Sequence, residues 1–143
     1  MSVDDGRNFL ADELSRKGYI HTAAVKEAFR AVPRHLFISE VDLDLAYRDE
    51  AVSVETPEGM AESSASQPSI VAKMLEQSGI EPGDRVLEVG AATGYNAALL
   101  SHLTGEGGRV FTVEINESLA RRARRSLPSN TPNASRCWTM TAM

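Results

Sequence analysis

Cysteine is almost absent from this sequence. Cys137 is the only one among 143 residues, so it cannot form an internal disulfide, and no metal-ligating residues accompany it. This usage is typical of a reducing compartment. The amino terminus lacks an apolar signal region, and no apolar run approaches membrane-spanning length. These absences predict a cytoplasmic protein with no membrane segment and no metal site.

Positive charge is also scarce. Fifteen lysines and arginines against 20 aspartates and glutamates give a formal net charge of −5. That balance argues against broad binding to nucleic acid or to an anionic membrane. Apolar residues make up 42% of the chain and charged residues 24%, as in a globular protein with a core. We therefore predict one domain that acts on a soluble partner or a small substrate.

The strongest motif is VLEVGAATGYNAALL, at residues 86–100. A β-prone apolar run precedes Gly90, and an apolar helical face begins after Gly94, which predicts a strand, a tight turn and a helix. Because glycine has no Cβ, the backbone at Gly90 and Gly94 can adopt positive φ and lie against a bound group. The free N–H groups of the following helix would point at the same pocket.

Three nucleotide-binding motifs compete for this loop. A Walker A loop needs Gly-Lys-Ser/Thr, but Tyr95 follows Gly94. The dehydrogenase pattern G-x-G-x-x-G would require glycine at Ala92 and at Tyr95. The pattern E-x-G-x-G-x-G of S-adenosylmethionine-dependent methyltransferases fits best, since Glu88, Gly90 and Gly94 match and only Ala92 replaces a glycine.

A second predicted strand, RVFTVE, ends at Glu114, about 20 residues after Gly94. A carboxylate at the carboxyl end of such a strand can accept two hydrogen bonds from a ribose diol. We interpret Glu114 as a ribose ligand. The alternative places Glu114 in the first turn of the next helix, where acids are favoured.

Residues 56–67 are rich in serine, glycine and glutamate and predict a loop. The loop ends in Ser66-Gln67-Pro68, and Pro68 suits the first turn of a helix that continues to Gly79. Ser66 or Gln67 could simply cap this helix. The functional alternative presents the hydroxyl of Ser66 to an anionic substrate.

Other polar residues have simpler interpretations. His35, in the apolar connector VPRHLFI, could be a catalytic base, but a hydrogen-bonded packing residue is favoured. The arginines of RRARR, at residues 121–125, could bind phosphate, but a solvated helix face is favoured. Helices are also predicted over residues 4–17 and from a cap at Thr22, and a short strand over residues 51–55.

With these residues in hand, the chain resembles the protein-L-isoaspartate O-methyltransferases and their relatives that methylate peptide carboxylates. VPRHLF, AYRDEAV, SQP, PGDRVLEVG and GYNAALL occur in the family's order and spacing over roughly residues 22–127. The resemblance implies an α/β, Rossmann-like class I methyltransferase fold. This chain would contain its N-terminal part only, with a helical N-terminal extension and an incomplete parallel sheet in a domain over residues 1–127.

The resemblance also implies the cofactor S-adenosyl-L-methionine. Glu88, Gly90, Ala92 and Gly94 would surround its methionine part, and Glu114 would bind its ribose. Ser66 matches the serine that the family places beside the substrate carboxylate, which belongs to a peptide or protein carrying isoaspartate or a related group. If Ala92 has positive φ, its methyl group costs about 1 kcal/mol and crowds the cofactor.

Length is the larger departure from the family, whose members continue past the position of Leu127 with another strand, an acidic-glycine turn and further sheet elements. We predict residues 128–143 to be an irregular tail. Two parallel strands alone cannot easily cover both faces of a parallel sheet. The tail is therefore interpreted either as an altered terminus or as a region where an oligomer or partner chain completes the sheet. The alternatives are an inactive cofactor-binding or interaction module, and a dedicated peptide carboxyl methyltransferase of natural-product modification. A nicotinamide-dependent dehydrogenase is disfavoured by Ala92 and Tyr95.

Overall fold

The fold, seen in a computed structural model that describes residues 1–54, 63–127 and 136–139, is mixed α/β. Helical residues dominate its first half, and a small parallel sheet occupies the second. The elements are α1 (Val3–Arg16), α2 (Ala23–Ala31), a 3₁₀ helix (Arg34–Leu36), α3 (Leu43–Ala46), β1 (Val52–Val54), β2 (Ser63–Ala65), α4 (Pro68–Ser78), β3 (Arg85–Val89), α5 (Tyr95–Thr104), β4 (Arg109–Glu114), α6 (Glu117–Ser126) and β5 (Arg136–Thr139).

Local signals set the boundaries of the N-terminal helices. Ser2 and Asp5 form a capping box at the start of α1, and the Thr22 side chain caps α2. Pro33 follows α2, whose C-cap residue Val32 is extended because helical geometry is disfavoured before proline. Leu14 of α1 and Phe29 of α2 are buried in the common core. Both predicted helices are confirmed.

Strands β1 and β2 form an antiparallel hairpin in which Val52 pairs with Ala65. The predicted strand over residues 51–55 is confirmed at Val52–Val54. The predicted loop over residues 56–67 is wrong at Ser63–Ala65, because pairing with β1 supplies backbone hydrogen bonds that no local periodicity reveals. Residues 55–62, which include most of that predicted loop, lie outside the described residues.

The second sheet has the order β3-β4-β5, and both pairings are parallel. Helices α5 and α6 lie between successive parallel strands in the chain, as in a βαβ unit. Side chains of Val110, Thr112 and Glu114 on β4 are buried on one face. The strand, turn and helix predicted over residues 86–100 are confirmed, and the architecture is that of a partial Rossmann-like fold.

Strand β5 corrects the prediction for the carboxyl-terminal tail. The sequence predicts an irregular tail over residues 128–143, yet Arg136–Thr139 pairs in parallel with β4, and Trp138 stands opposite Val113 in the register. A four-residue strand is too short to show periodicity, and the free edge of β4 supplies its hydrogen-bonding partners. The rest of that predicted tail, residues 128–135 and 140–143, lies outside the described residues.

The parallel sheet is covered unequally. On the face opposite the buried residues of β4, Leu87 is 66% exposed and Val89 is 75% exposed, and nearby Ile115 is 68% exposed. Among the described strands, β3 pairs on one side only. This apolar face, which we define by Leu87, Val89 and Ile115, is therefore open in the described part of the chain. None of the described helices combines the length and hydrophobicity needed to cross a bilayer.

Candidate active site

A partly enclosed cavity of about 200 Å³ lies between the β2–α4 junction and the loop after β3. One wall consists of residues 64–66 with two α4 side chains, Val71 and Met74. The opposite wall consists of residues 88–93 together with Tyr95 and Asn96. The fold thus brings Ser66 to the same cavity as most of the glycine motif, although the two are separated by more than 20 residues in sequence.

Gly90 turns the chain at the end of β3. Its φ is +94°, and its N–H and that of Ala91 donate to the carbonyl of Val113 at 2.8 and 3.1 Å. A Cβ placed on Gly90 would have no heavy atom within 4 Å. Glycine is therefore required here by the backbone conformation, and the space beside it is open to a bound group.

Glycine is needed at position 94 for a different structural reason. It is the N-cap residue of α5 with φ +91°, and a Cβ placed there would lie 3.3 Å from the Cα of Ala123 in α6. Glycine therefore permits both the left-handed turn and the close packing of α6. Gly94 is not among the residues that line the cavity, so its contact with a cofactor stays a prediction.

Ala92 lies in the cavity wall with φ +46°, the one described non-glycine residue with positive φ. An L-residue in this region bears a steric cost of about 1–2 kcal/mol. Its N–H donates to Oε2 of Glu114 at 2.9 Å. The strain expected for this substitution is therefore present in the fold.

Glu114 is the last residue of β4, and only 7% of its surface is exposed. Besides the bond from Ala92, its Oε1 accepts from the N–H of Asn116 at 3.0 Å. The alternative position in the first turn of α6 is wrong, because that turn contains Glu117 and is capped by Asn116. Glu114 is at the sheet edge expected for a ribose ligand, and that role stays a prediction.

Glu88 is held by two neighbours. Its Oε1 accepts from the Thr112 hydroxyl at 2.5 Å, and its Oε2 accepts from Nδ2 of Asn96 at 2.6 Å. Burial raises the pKa of the Glu88 carboxyl, while the two hydrogen bonds act in the opposite direction. Glu88 therefore orients Asn96 at the cavity wall.

Two buried polar atoms of the cavity wall have no hydrogen-bond partner among the described residues: Oδ1 of Asn96 and the hydroxyl of Tyr95. Buried polar groups are rarely left unpaired, because that costs about 1–3 kcal/mol each. An amide acceptor of this kind fits the amino group of S-adenosylmethionine. The sequence pattern alone does not single out Asn96 as a site residue, and its i, i+8 spacing from Glu88 is the signal that could identify it.

Ser66 is exposed at the other wall of the cavity and precedes Gln67, the N-cap residue of α4. Gln67 makes no side-chain capping bond, and the N–H of Ser69 instead donates to Oδ1 of Asp49 at 2.7 Å. The capping role proposed for serine or glutamine is therefore wrong, because a carboxylate from a distant segment performs it. This leaves the predicted substrate role of Ser66 open to test.

Arg34 is a buried residue that the sequence patterns do not identify. Its side chain is fully buried, and its guanidinium donates to main-chain carbonyls from two segments of the chain, residues 46–50 and Ser66. Burial lowers the pKa of Arg34, although arginine keeps its charge in proteins. A run such as VPRHLFI gives no sign that its arginine points inward.

The other polar residues considered from the sequence have structural roles. Nδ1 of His35 lies 2.9 Å from the hydroxyl of Tyr47, which confirms the packing interpretation. Arg122 is partly buried, and it donates to the Glu40 carboxylate and, at 2.8 Å, to the carbonyl of Phe37. The solvated-face interpretation is therefore wrong for Arg122, because the connector after the 3₁₀ helix supplies acceptors. Among the described residues no cluster of three potential metal ligands occurs.

Known proteins with a similar sequence identify the family. The model of the protein-L-isoaspartate(D-aspartate) O-methyltransferase family matches residues 5–138. This chain belongs to that family. A protein-L-isoaspartate O-methyltransferase of Roseiflexus is 42% identical over 123 residues, which cover 86% of this chain and 52% of the relative. One from Ignicoccus hospitalis is 38% identical over 125 residues, or 87% of this chain and 57% of the relative.

Two solved structures share the fold over most of this chain. A protein-L-isoaspartate O-methyltransferase matches with a TM-score of 0.77 and 35% identity, over 84% of this chain and 37% of that one. A Plasmodium falciparum protein described as a putative member of the family, in complex with S-adenosyl-L-homocysteine, matches with a TM-score of 0.75 and 20% identity, over 94% of this chain and 62% of that one. The second likeness concerns the fold alone.

The family match is longer at both ends than the resemblance over residues 22–127 predicts, and it includes most of β5. The chain spans about half the length of the curated relatives it matches. Family membership is thus shown for nearly the whole chain, whereas these relatives contain about as much sequence again.

Proposed function

We propose that this chain acts as an S-adenosylmethionine-dependent O-methyltransferase on a peptide or protein carboxylate, with L-isoaspartyl residues as the substrate class. The observation that carries the proposal is the cavity, which has Ser66 on one wall and the glycine loop with Asn96 on the other. Membership in the isoaspartate methyltransferase family supports this assignment. The net charge of −5 favours a peptide over a nucleic acid as the partner.

The reaction requires little acid–base assistance. A side-chain carboxyl with an ordinary pKa of about 4 is already anionic at pH 7. Glu88 is the one carboxylate among the described residues that line the cavity, and both of its oxygens already accept hydrogen bonds. The cofactor supplies an electrophilic sulfonium methyl group. The chain's residues therefore contribute by binding, orienting and excluding water rather than by moving protons.

The two walls of the cavity and the neighbouring end of β4 each have a role in this proposal. Oδ1 of Asn96, aimed by Glu88, accepts from the amino group of the cofactor, and Gly90 leaves room beside the backbone. Glu114 accepts from the ribose hydroxyls. The hydroxyl of Ser66 donates to the substrate carboxylate and orients it towards the methyl group.

The first experiment is calorimetric titration of the 143-residue chain with S-adenosylhomocysteine, followed by transfer of a radiolabelled methyl group to an isoaspartyl peptide. We expect one-site binding and transfer. The matched control is the same peptide with an ordinary aspartate, which should accept little label. Binding without transfer to either peptide would contradict the enzymatic proposal, and a folded chain that does not bind would contradict the cofactor site as well.

A second candidate function is an interaction module that retains the cofactor loop without activity. The open apolar face of Leu87, Val89 and Ile115 beside the β3 edge favours it, since exposed patches and edges of this kind mark interaction sites. An oligomer or a partner chain would then cover this face. Binding of S-adenosylhomocysteine without methyl transfer, together with association through this face, is the result expected for such a module.

A further inference from the structure

The guanidinium of Arg34 joins the two walls of the cavity. It lies in the 3₁₀ helix after α2, and none of its surface is exposed. Its Nη2 donates to the carbonyl of Ser66 at 3.4 Å, and its Cζ lies 5.8 Å from the ring centroid of Tyr95. This distance is within the range of a cation–π contact. Ser66 belongs to the proposed substrate wall, and Tyr95 begins α5 directly after the glycine loop.

The same side chain also holds the segment between α3 and β1. Nη1 donates to the carbonyls of Ala46 and Arg48 at 2.8 and 3.3 Å, and Nη2 donates to that of Glu50 at 3.0 Å. Within this segment, Asp49 accepts from the N–H of Ser69 at the start of α4. The segment therefore contacts the chain just after Ser66 through Asp49, and the hydrogen bonds from Arg34 hold the segment in that position.

Lysine cannot reproduce this arrangement. Its ammonium group has three donors at a single point, whereas the guanidinium presents its donors in a planar fork that also stacks on an aromatic ring. Four carbonyl acceptors and one ring face surround Arg34, and these features match the planar group. No described acidic side chain forms an ion pair with Arg34 within 4 Å, so its geometry depends on main-chain dipoles.

We propose that Arg34 is a positioning residue for methyl transfer, which sets the separation between the Ser66 turn and the glycine loop through its bond to the Ser66 carbonyl and its contact with Tyr95. This inference rests on the proposed function. Arg34 contacts neither substrate nor cofactor in this assignment. Its effect is on the alignment of the two bound molecules rather than on the affinity for either one.

The test compares Arg34→Lys with Arg122→Lys. Arg122 is the matched control, because it also donates to a main-chain carbonyl. The residues that accept its hydrogen bonds, Phe37 and Glu40, do not line the cavity, whereas Arg34 donates to Ser66, which does. Misplacement of reacting groups by about 1 Å costs up to about 100-fold in rate. We expect Arg34→Lys to lower kcat by about tenfold or more, with KM and the Kd for S-adenosylhomocysteine changed less than about threefold. Arg122→Lys should keep kcat within about twofold. A kcat preserved in Arg34→Lys, or lowered equally in both variants, would overturn the proposal.

Amide hydrogen exchange provides a readout that does not require activity. If Arg34 positions both walls, exchange in Arg34→Lys should accelerate at Ser66–Ser69 and at Gly94–Asn96, and in Arg122→Lys it should not. Should the wild-type chain transfer no methyl group, the proposed function fails, and this pattern decides the positioning role by itself. Unchanged exchange at either segment would refute it. If Arg34→Lys does not fold, Tyr95→Leu removes the ring face, and a kcat that stays at the wild-type value would likewise refute the proposal.

Discussion

The N–H of Ala92 donates a hydrogen bond of 2.9 Å to the carboxylate of Glu114. This bond joins the glycine loop after β3 to the end of β4, the two elements for which the sequence predicts a cofactor site. Because Asn116 donates to the other carboxylate oxygen at 3.0 Å, one side chain organises both loops. Because Glu114 is only 7% exposed, the removal of its charge should disturb both of the loops that donate hydrogen bonds to it.

Replacing Glu114 by glutamine should weaken cofactor binding. The amide can accept from only one of the two N–H groups, and an unpaired buried donor costs about 1–3 kcal/mol. We expect the Kd for S-adenosylhomocysteine to rise about tenfold or more, since about 1.4 kcal/mol corresponds to a factor of ten. The control Glu117→Gln, on the exposed first turn of α6, should bind as the wild type does. Equal affinities for all three proteins would contradict the role of Glu114.

Replacing Ala92 by glycine should stabilise the chain. The φ of +46° costs an L-residue about 1–2 kcal/mol, and the additional chain entropy of glycine offsets about 0.4–1 kcal/mol. The midpoints of these two ranges differ by about 0.8 kcal/mol, and the free energy of unfolding should rise by about this amount in denaturant titrations. Ala91→Gly, at a buried neighbour outside the positive-φ region, should instead destabilise. A loss of stability in Ala92→Gly would show that the methyl group packs favourably.

Replacing Ser66 by alanine should lower methyl transfer more than cofactor binding. A hydrogen bond to a charged carboxylate contributes about 1.5–3 kcal/mol, so kcat/KM for an isoaspartyl peptide should fall about 10- to 100-fold. The Kd for S-adenosylhomocysteine should stay within about twofold of the wild type. Ser53→Ala, at an exposed position on the neighbouring strand, is the control. Equal losses in transfer and binding would count against the assignment of Ser66 to the substrate.

Glu88 should make stability depend on pH. Burial raises the pKa of this carboxyl above its ordinary value of 4.5, so the folded state binds the proton more tightly than the unfolded state. Wild-type stability should therefore fall as pH rises from about 4.5 through the raised pKa, by at most about 1.4 kcal/mol per pH unit. Glu88→Gln should lack this fall, so its stability relative to the wild type should increase with pH across that window.

Glu40 provides a comparison of opposite sign. The hydrogen bond from Arg122 lowers the pKa of Glu40 below its ordinary value. The ionised Glu40 carboxylate therefore stabilises the folded state at pH above the ordinary pKa, and this stabilisation is lost as pH falls through the lowered pKa. The stability of Glu40→Gln relative to the wild type should therefore decrease as pH rises from below the lowered pKa to about 4.5. Unfolding curves measured between about pH 3 and 8 would separate the two. The same slope for both variants would disprove the assignment for Glu88.

The open apolar face should be measurable in solution. Leu87 and Val89 are more than half exposed on β3, which pairs on one side only among the described strands, an arrangement that promotes association. Leu87→Lys should reduce both self-association in sedimentation velocity and the fluorescence of a bound apolar dye. Phe9→Ser, which removes a 52% exposed aromatic side chain from α1, should change both signals less. A wild-type chain that is monomeric and binds no dye would show that this face is covered.

Sequence patterns determined the features that depend on neighbouring residues. The strand, glycine turn and helix over residues 86–100 follow from an apolar period and two glycines. The cap at Thr22 follows from a side chain that bonds to the backbone three positions later. The methyltransferase motif at Glu88 and Gly90 likewise identified the family that the comparisons show. These features could be predicted because their partners lie within one turn or one strand.

Only the tertiary structure decided the features whose partners are distant. Strand β5 pairs with the free edge of β4, and near the start of α4 the N–H of Ser69 donates to a carboxylate 20 residues away. Arg34 is buried because carbonyls up to 32 residues away accept its hydrogen bonds. A linear pattern reports the periodicity of one segment, whereas burial of a polar group depends on acceptors that the fold assembles from several segments. The cavity between Ser66 and Gly90 is a property of that assembly.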